Sequence, residues 1–453
     1  MNSSSPIQTG LQEGALTWFK VASLGVAIAV SGNFSGWNYG LGIAGLGGMF
    51  LAAVAMSIMF FCLTQCVAEL AAALTSDSGL DGYTRSALGP TAGYVCGMSI
   101  AVALAIGSGL ALSFIEAYAQ SAVGIGGWQI KVALMVAVIA LQLRGAKDAV
   151  FLTMLTGLVA LTVLAVFCLY GLAHFRVANW MTVGPQQVPT LFPAGLLGVL
   201  QCIPYALFLF LGVEQAAQAA PEMKDMTRSL PKALITAIGI IATIGLTVLV
   251  LAVGAGGVDR LAPSNDPLLT VVEANPQSAA YGFMRNLVGI GALFSLIATF
   301  FSLFYASSRQ FYQLARAGDL PDWFARVNKH HAPTSSLGIA AVIGLVAATA
   351  FPPEDVMVVF IFLLASSYVL LASSFIRLRR SRAELARPYR AIGGEAAAWT
   401  ACVLALIVMA SCYWLQVRAL SYAIGVVALL AVYFHWLRKP QLTPNSEAER
   451  RTP

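Results

Sequence analysis

The sequence predicts an all-α polytopic membrane protein with twelve transmembrane helices. Three observations lead to this prediction: the composition, the long uncharged segments and the distribution of basic residues. Of the 453 residues, 58% are hydrophobic and 10% are charged, whereas soluble domains carry about 25% charged residues. This composition excludes a disordered chain and disfavours a water-soluble enzyme. The seven cysteines are too few and too dispersed for a disulfide scaffold.

Segments without a charged side chain supply the predicted spans. The segment from Val21 to Ala68 contains no Asp, Glu, Lys or Arg. As a helix it would be about 72 Å long, more than twice the roughly 30 Å hydrocarbon core, so it holds two spans. We place the turn between them within Asn38–Gly48, where glycines cluster. The further spans are predicted within Ser86–Ile115, Val132–Leu143, Ala149–Phe175, Val177–Val213, Ala233–Val258, Asn286–Ser308, Ala332–Pro353, Val356–Ile376, Ala396–Val417 and Ala419–Leu437.

The basic residues are divided unevenly between the two predicted sides. Twelve spans place both termini on one side, and that side carries 21 of the 26 Lys and Arg residues. By the positive-inside rule we expect both termini in the cytoplasm and the chain in the inner (plasma) membrane. The net charge of +6 reflects this topology, so no nucleic-acid partner is expected. The remaining basic residues, on the other side, are Lys131, Arg176, Arg260, Arg285 and Arg418.

The first and sixth spans are predicted to be broken helices. Ser31–Gly36 places two glycines, two serines and an asparagine in the middle of span 1, and these residues compete with helical hydrogen bonding. Span 6 contains Pro204, which lacks a backbone N–H donor. Further on it contains Gly212, whose backbone freedom allows the helix to unwind. Interrupted helices in corresponding halves indicate a transporter binding site. The alternative is that these residues serve helix packing, as Gly often does in membranes.

Four loop signatures then point to a family. They are Phe210–Glu214 with Pro221–Asp225 and Arg228–Pro231, Leu314–Pro321 with Phe324–Lys329, Arg387–Arg390, and Gly82-Tyr83 with Gly89-Pro90. In this order and spacing they resemble the amino acid–polyamine–organocation superfamily of secondary transporters, over about residues 15–438. The segment Ser31–Asn38 is most similar to the ethanolamine permease branch of that superfamily.

The resemblance implies a domain organisation and a mechanism. It implies two inverted five-helix repeats, residues 15–175 (spans 1–5) and 190–380 (spans 6–10), followed by spans 11 and 12 in residues 394–438. Residues 1–14 and 439–453 are polar and are expected to be disordered cytoplasmic tails. The implied mechanism is alternating access around a midplane site between spans 1, 3, 6, 8 and 10.

The resemblance also implies the residues of that site. The broken span 1 would offer N–H groups to a carboxylate and the broken span 6 carbonyl groups to an amine, as the partial charges of half-helix ends favour. Phe208 falls where the family often has an occluding aromatic side chain. Asn33 stands where ethanolamine-type members favour an acid, and span 5 lacks the Lys that some proton-coupled members use. The candidate substrate-binding residues are Ser31, Gly32, Asn33, Phe34, Ala103, Ser108, Phe208, Leu211, Gly212, Phe300, Leu303 and Ser366.

Three acids, Glu69, Glu116 and Glu214, fall within or at the edge of the predicted spans. An unpaired acid there costs about 2.5–3.5 kcal/mol on insertion scales. Glu214 follows the span 6 break and is a candidate for proton coupling, or alternatively a structural hydrogen-bond acceptor. Glu116 either attracts cations in the outer vestibule or is a solvated interfacial carboxylate. Glu69 is expected to pair with a basic loop residue in a closed inner gate.

These observations predict a secondary active transporter that imports a small amine or amino acid, with ethanolamine as the first candidate. Transport is expected to be coupled to protons or to exchange. An amino acid/polyamine antiporter of the same fold and a non-transporting membrane sensor are the alternatives. An enzyme is not expected, because no cluster of nucleophile, base or metal ligands lies at membrane depth. We expect no cofactor and no metal. We expect contacts with membrane lipid, and the sequence leaves homodimer formation open.

Overall fold

The computed structural model describes residues 17–74, 79–144, 149–183, 189–214, 216–217, 223, 226–330, 332–434 and 436. For residues 149–153, 183 and 226 only the backbone is described. The predicted tails, residues 1–14 and 439–453, lie outside the described residues. Most of the Pro221–Asp225 signature also lies outside them, with Met223 as its described member.

The described residues are mostly helical. A short antiparallel pair, β1 (Thr182–Val183) and β2 (Pro189–Thr190), is the exception to this pattern in the described ranges. The helices are α1 (Trp18–Ala29), α2 (Tyr39–Ala73), α3 (Leu80–Leu88), α4 (Pro90–Val123), α5 (Trp128–Leu143), α6 (Ala149–Ala173), α7 (Gly195–Phe208), α8 (Met226–Gly256), α9 (Val258–Leu261), α10 (Pro267–Glu273), α11 (Tyr281–Arg316), α12 (Thr334–Ala350), α13 (Pro353–Ser381), α14 (Gly394–Leu415) and α15 (Val417–Tyr433).

In the described ranges, seven helices are long and apolar enough to cross a membrane: α2, α4, α6, α8, α11, α13 and α14. Four shorter helices, α5, α7, α12 and α15, are also apolar. The predicted polytopic helical class is therefore confirmed, whereas the number of twelve spans and the inverted repeats stay predictions.

The helix α2 is interrupted at Gly45, within Asn38–Gly48, where the turn between the first two spans is predicted. There α2 has non-helical backbone angles, φ 66° and ψ −176°, so α2 consists of two helical pieces. A Cβ atom at this position would lie 2.6 Å from Cδ of Pro193 and 2.8 Å from the carbonyl oxygen of Leu191. Both the left-handed φ and this close approach explain why the chain turns at a glycine.

Both predicted helix breaks are present. The helix α1 passes into a 3₁₀ turn, Val30–Asn33, and helical structure resumes only at Tyr39. The helix α7 continues through Pro204 and ends at Phe208, so the proline lies inside α7 rather than at the break. Gly212 then adopts φ 100°, a left-handed conformation that ends regular helical structure.

The helix α4 lies at the centre of the bundle. It packs against α3, α11, α12, α13 and α15, and 89% of its most apolar stretch is buried. Small residues allow these close contacts: a Cβ atom on Gly109 would lie 2.2 Å from the carbonyl oxygen of Gly344 in α12. The backbones of α4 and α12 therefore touch at this point, as small residues permit between membrane helices.

This contact predicts the effect of Gly109→Ala. The added methyl group must displace the backbone of α12, so we expect a loss of about 1–3 kcal/mol in the free energy of unfolding. Thermal unfolding of the purified protein in detergent measures this change. The matched control is Gly338→Ala in α12, where nothing lies within 4 Å of the added atom, and it should not lower the melting temperature. Equal effects of the two substitutions would contradict the proposed backbone contact.

Candidate functional site

The two helix breaks pack directly on each other through glycines. A Cβ atom on Gly32 would lie 2.4 Å from the carbonyl oxygen of Phe208. Conversely, a Cβ atom on Gly212 would lie 2.5 Å from Cγ2 of Ile28. Each break thus presents a glycine to the end of the helix that precedes the other break, and a side chain at either position would push the two segments apart.

A cavity of about 50 Å³ lies beside this junction. Its walls come from α1 and the first break, from α4, from α7 and the second break, and from α11 and α13. Most of the lining is apolar, and its polar side chains are those of Ser31, Thr299 and Glu214. Because a single water needs roughly 10–15 Å³ measured in this way, the cavity has room for a small group only.

Seven of the predicted site residues line this cavity. Ser31 and Gly32 contribute from the first break, and Leu303 contributes from α11. The others come from the end of α7 and the second break: Phe208, Leu211, Gly212 and Glu214. The structure thus brings together predicted residues from three separate segments of the chain.

Asn33 and Phe34 lie next to the cavity without lining it. The Asn33 amide nitrogen donates to the carbonyl oxygen of Val30 at 3.2 Å. Its amide oxygen faces Gly245 of α8; a Cβ atom added to Gly245 would lie 3.1 Å from this oxygen. The backbone oxygen of Phe34 accepts a hydrogen bond from the Tyr118 hydroxyl at 2.7 Å. In this conformation both residues therefore join the first break to its neighbours.

The other predicted residues lie on neighbouring helix faces: Ala103, Ser108, Phe300 and Ser366. The Ser108 hydroxyl donates to the carbonyl oxygen of Ala105 at 2.7 Å and faces Gly344 of α12. The Ser366 hydroxyl donates within α13 to the carbonyl oxygen of Leu363 at 2.6 Å. Their hydroxyl groups are thus used inside their own helices.

The residues of α4 that line the cavity differ from the predicted Ala103 and Ser108. The lining positions are Leu104, Gly107, Ala111 and Phe114, which follow helical spacing. A helical wheel that started from Gly107 would have identified this face. Thr299 of α11 and Phe360 of α13 were also not among the candidates, because apolar and small residues surround them in sequence.

Aromatic side chains close one side of the cavity. The Phe208 ring makes edge contacts with Phe114 and Phe360, at ring-centroid distances of 6.1 Å and 6.4 Å. Gly107 allows this arrangement, since a Cβ atom there would lie 2.7 Å from Cε2 of Phe360. Phe208 is therefore held between α4 and α13, where a shift of either helix would move its ring.

Glu214 is the buried acid of the cavity. Only 1% of its surface is exposed. One carboxylate oxygen accepts a hydrogen bond from the Tyr368 hydroxyl at 2.7 Å, and the other accepts the backbone N–H of Gly212 at 3.1 Å. Tyr368 is itself packed edge-on against Phe60, with ring centroids 5.7 Å apart. The carboxyl group is therefore fixed next to the second break, at the wall of the cavity.

The first break is tied to the segment between α9 and α10. The Asn38 side-chain nitrogen donates to the carbonyl oxygens of Leu261 and Ser264, at 2.7 Å and 2.6 Å. The Ser35 hydroxyl donates to the carbonyl oxygen of Asn265 at 2.6 Å. These bonds fix the chain after the first break to the connection between α9 and α10.

Glu69 lies at the opposite end of the bundle, where α13 ends; we call this the arginine-rich end, after the basic residues of Arg377–Arg390. Its carboxylate accepts two hydrogen bonds from Arg379, at 3.0 Å and 2.8 Å, and lies 3.4 Å from Nε of Arg387. It also accepts the backbone N–H of Ala391 at 2.6 Å. Because Glu69 is 2% exposed, these donors offset most of the cost of burying its charge.

Two further contacts fasten the arginine-rich end. Tyr389 donates a hydrogen bond to the side-chain oxygen of Gln65 in α2. Burial raises the pKa of Tyr389, with the nearby Glu69 charge acting in the same direction, so the phenol stays a donor at neutral pH. Arg85 of α3 forms an ion pair with Asp319, which follows α11. The loops at this end are thus bound to α2 and α3.

Glu116 does not contact the cavity. Its carboxylate accepts the backbone N–H of Gly127 at 2.9 Å and lies 3.8 Å from Nζ of Lys131. The side chain is partly exposed, at 28%. It therefore binds the connection between α4 and α5 in this conformation.

No group of three or more His, Cys, Asp or Glu side chains suited to a metal ion occurs among the described residues. The acids discussed above are instead bound by arginine, lysine, tyrosine or backbone donors.

A family model described as amino acid permease matches residues 16–434. The chain belongs to the amino acid permease family. This confirms the predicted superfamily, while the ethanolamine branch stays a prediction. Membership of this family, together with the apolar helices, identifies the chain as a multi-pass membrane protein.

Among known proteins, the permease is 22% identical over 258 residues to a branched-chain amino acid permease of Bacillus subtilis, covering 57% of this chain and 54% of the relative. It is 27% identical over 310 residues to an uncharacterised transporter of Mycobacterium tuberculosis, covering 67% and 66%. A methylthioribose transporter of Bacillus subtilis is 22% identical over 195 residues, covering 43% and 40%. The match to the branched-chain permease thus spans about half of that protein's length.

The packing of the breaks predicts the effect of Gly32→Ala in the permease. The methyl group would collide with the Phe208 carbonyl group, so the two breaks must separate and the cavity must change shape. We expect a destabilisation of about 1–3 kcal/mol in thermal unfolding and the loss of transport in reconstituted vesicles. Gly239→Ala is the control, since nothing lies within 4 Å of its added atom. Normal transport by the Gly32 variant would show that the contact is not required.

Proposed function

We propose that this permease is a secondary active transporter that imports a small amine or amino acid by alternating access. The observation that supports the proposal is the cavity itself, which lies between the two packed helix breaks and contains a single buried acid, Glu214. Half-helix ends and a fixed carboxylate supply both signs of charge that a zwitterion or an amine requires.

The proposed architecture has twelve spans. Span 1 consists of α1 and the first piece of α2, and span 6 consists of α7 and the chain beyond the second break. Residues 15–175 and 190–380 form the two inverted repeats, and residues 394–438 add two helices. In this arrangement the permease lies in the plasma membrane with both termini in the cytoplasm. The arginine-rich end is then the cytoplasmic end, as its basic residues favour.

In the proposed site the substrate contacts the residues that line the cavity. Ser31 and Gly32 face its carboxylate or hydroxyl end, and Glu214 faces its ammonium group. Phe208 and Leu303 form the apolar walls, together with Leu211 and Gly212. Asn33, Phe34, Ala103, Ser108, Phe300 and Ser366 support these walls from the next shell of side chains and come closer to the substrate in other states of the transport cycle.

Ethanolamine is the first candidate substrate, because its ammonium and hydroxyl groups match Glu214 and Ser31 and its size suits a cavity of about 50 Å³. A small apolar amino acid is the second candidate. It is favoured by the mostly apolar lining and by the similarity to a branched-chain amino acid permease. A long polyamine fits this cavity poorly, which disfavours the polyamine antiporter.

The remaining acids are proposed to act at the two ends. Glu69 with Arg379 and Arg387 forms the closed inner gate, and these bonds must break for the cavity to open toward the cytoplasm. Glu116 with Lys131 holds the outer connection between α4 and α5. Coupling to protons or to exchange is assigned to Glu214, which is the acid inside the cavity.

The test is uptake into proteoliposomes. Labelled ethanolamine, valine, leucine and putrescine are offered separately, with and without an inward proton gradient, and counterflow is measured with internal unlabelled substrate. Saturable uptake of ethanolamine or of an apolar amino acid supports the proposal. Binding without any flux would favour the membrane sensor, and flux of putrescine in exchange for an amino acid would favour the antiporter.

Glu214→Gln tests the coupling role. If Glu214 carries the proton, the proton gradient should no longer stimulate uptake by the variant. The uptake rate should also fall at least about tenfold, because a buried hydrogen-bonding carboxylate is lost. Glu273→Gln removes an exposed acid of α10 and should transport normally. Gradient-dependent uptake that persists in the Glu214 variant would remove this residue from the coupling role.

A further inference from the structure

An open groove of about 490 Å³ lies on the outside of the bundle, between the last turns of α13 and the start of α14. We call it the α13–α14 groove. It takes no part in the proposed transport site, because the cavity is lined by a different face and a different part of α13. It is lined by Ser373, Ile376, Arg377, Arg380, Ser381 and Trp399.

The arginines near this groove divide into two groups by direction. Arg379 and Arg387 point inward to Glu69. Arg377 and Arg380 are three positions apart, so they share the opposite, exposed face of α13. The positive charge of this helix end is therefore presented to the surroundings at one place, next to the apolar side chains of Ile376 and Trp399.

The charge of the groove is only partly balanced. Arg380 donates to a carboxylate oxygen of Glu395 at 2.9 Å and remains 61% exposed. For Arg377 no ion pair is formed within the part of the chain that the structure describes. Its guanidinium group is exposed at the mouth of the groove, so the groove keeps a net positive charge.

An exposed apolar row continues from the groove along α14. Trp399, Val403 and Leu406 are each 48% exposed, and their spacing places them on one helix face. The row leads from the charged helix end toward the middle of α14. The hydroxyl of Ser373 and the thiol of Cys402, 4.0 Å apart, hold α13 and α14 together beneath it.

We propose that the α13–α14 groove binds one anionic phospholipid. The phosphate group lies against Arg377 and Arg380, and an acyl chain follows Trp399, Val403 and Leu406. This ligand matches both parts of the surface: the basic end attracts the headgroup, as basic residues at a membrane surface do, and the apolar row accepts a chain that a free phosphate lacks. A tryptophan at the boundary between the two parts suits the headgroup region.

The experiment is native mass spectrometry of the detergent-purified, full-length permease, titrated with phosphatidylglycerol or phosphatidylcholine of equal chain length. We expect phosphatidylglycerol to bind at least about fivefold more tightly. Arg377→Gln should weaken the binding of phosphatidylglycerol about fivefold, because one basic residue near an anionic surface contributes about 1 kcal/mol. The double variant with Arg380→Gln should weaken the binding further. Arg390→Gln, an exposed arginine outside the groove, is the control and should leave the affinity unchanged.

A second variant changes the affinity in the opposite direction. Glu395→Gln removes the acid that partly neutralises Arg380, so it should bind phosphatidylglycerol more tightly, a result that simple destabilisation of the fold cannot produce. Trp399→Ala should weaken binding, whereas Trp414→Ala, an exposed tryptophan at the other end of α14, should not. Glycerophosphoglycerol, the headgroup without chains, should fail to compete.

Three outcomes would overturn the proposal. The first is equal affinity of the wild type and the double arginine variant for phosphatidylglycerol. The second is full competition by glycerophosphoglycerol, which would indicate an anion site without an acyl chain. The third is a dimer that persists without lipid and dissociates in Trp399→Ala, which would show that a second copy of the permease covers the groove.

Discussion

The contact between the two helix breaks is the constraint on which the rest of the site depends. Gly32 meets the Phe208 carbonyl group, and Gly212 meets Ile28. Because neither position has room for a Cβ atom, the first break lies at backbone distance from the end of α7, and the second break lies against the last turn of α1. This distance sets the size of the cavity and places the Phe208 ring between Phe114 and Phe360.

Two buried acids sit on either side of that constraint in different surroundings. Glu69 is bound by two arginines and a backbone N–H. Glu214 is bound by the hydroxyl of Tyr368 and the amide of Gly212, and it lines the cavity. The first arrangement suits an ion pair that opens and closes. The second suits a carboxyl group that exchanges its partner during transport.

The sequence predicted the helical class, the two breaks and the turn near Gly45, since each depends on composition or on local backbone chemistry. It also identified the residues of the breaks that line the cavity. It was less successful for α4, where Ala103 and Ser108 were chosen and the lining face carries Leu104, Gly107 and Phe114. A long helix that is buried on nearly all sides has no polar face to mark its orientation. Which stripe faces the cavity is then decided by packing partners such as Gly344 and Phe360.

The last turn of α13 joins the proposed inner gate to the surface of the bundle. Arg379 points inward to Glu69, while Arg377 and Arg380, on the same turn, point outward to the α13–α14 groove. A helical turn is rigid on this scale, because its hydrogen bonds tie neighbouring residues together. In the proposed mechanism this turn has one position with the Glu69 ion pair formed and one with it broken. A ligand that binds the outer arginines more tightly in one of these positions shifts the equilibrium between them by the difference between its two binding free energies. In the proposed mechanism, a helix that carries charge on both faces thus links the inner gate to the lipid in the groove.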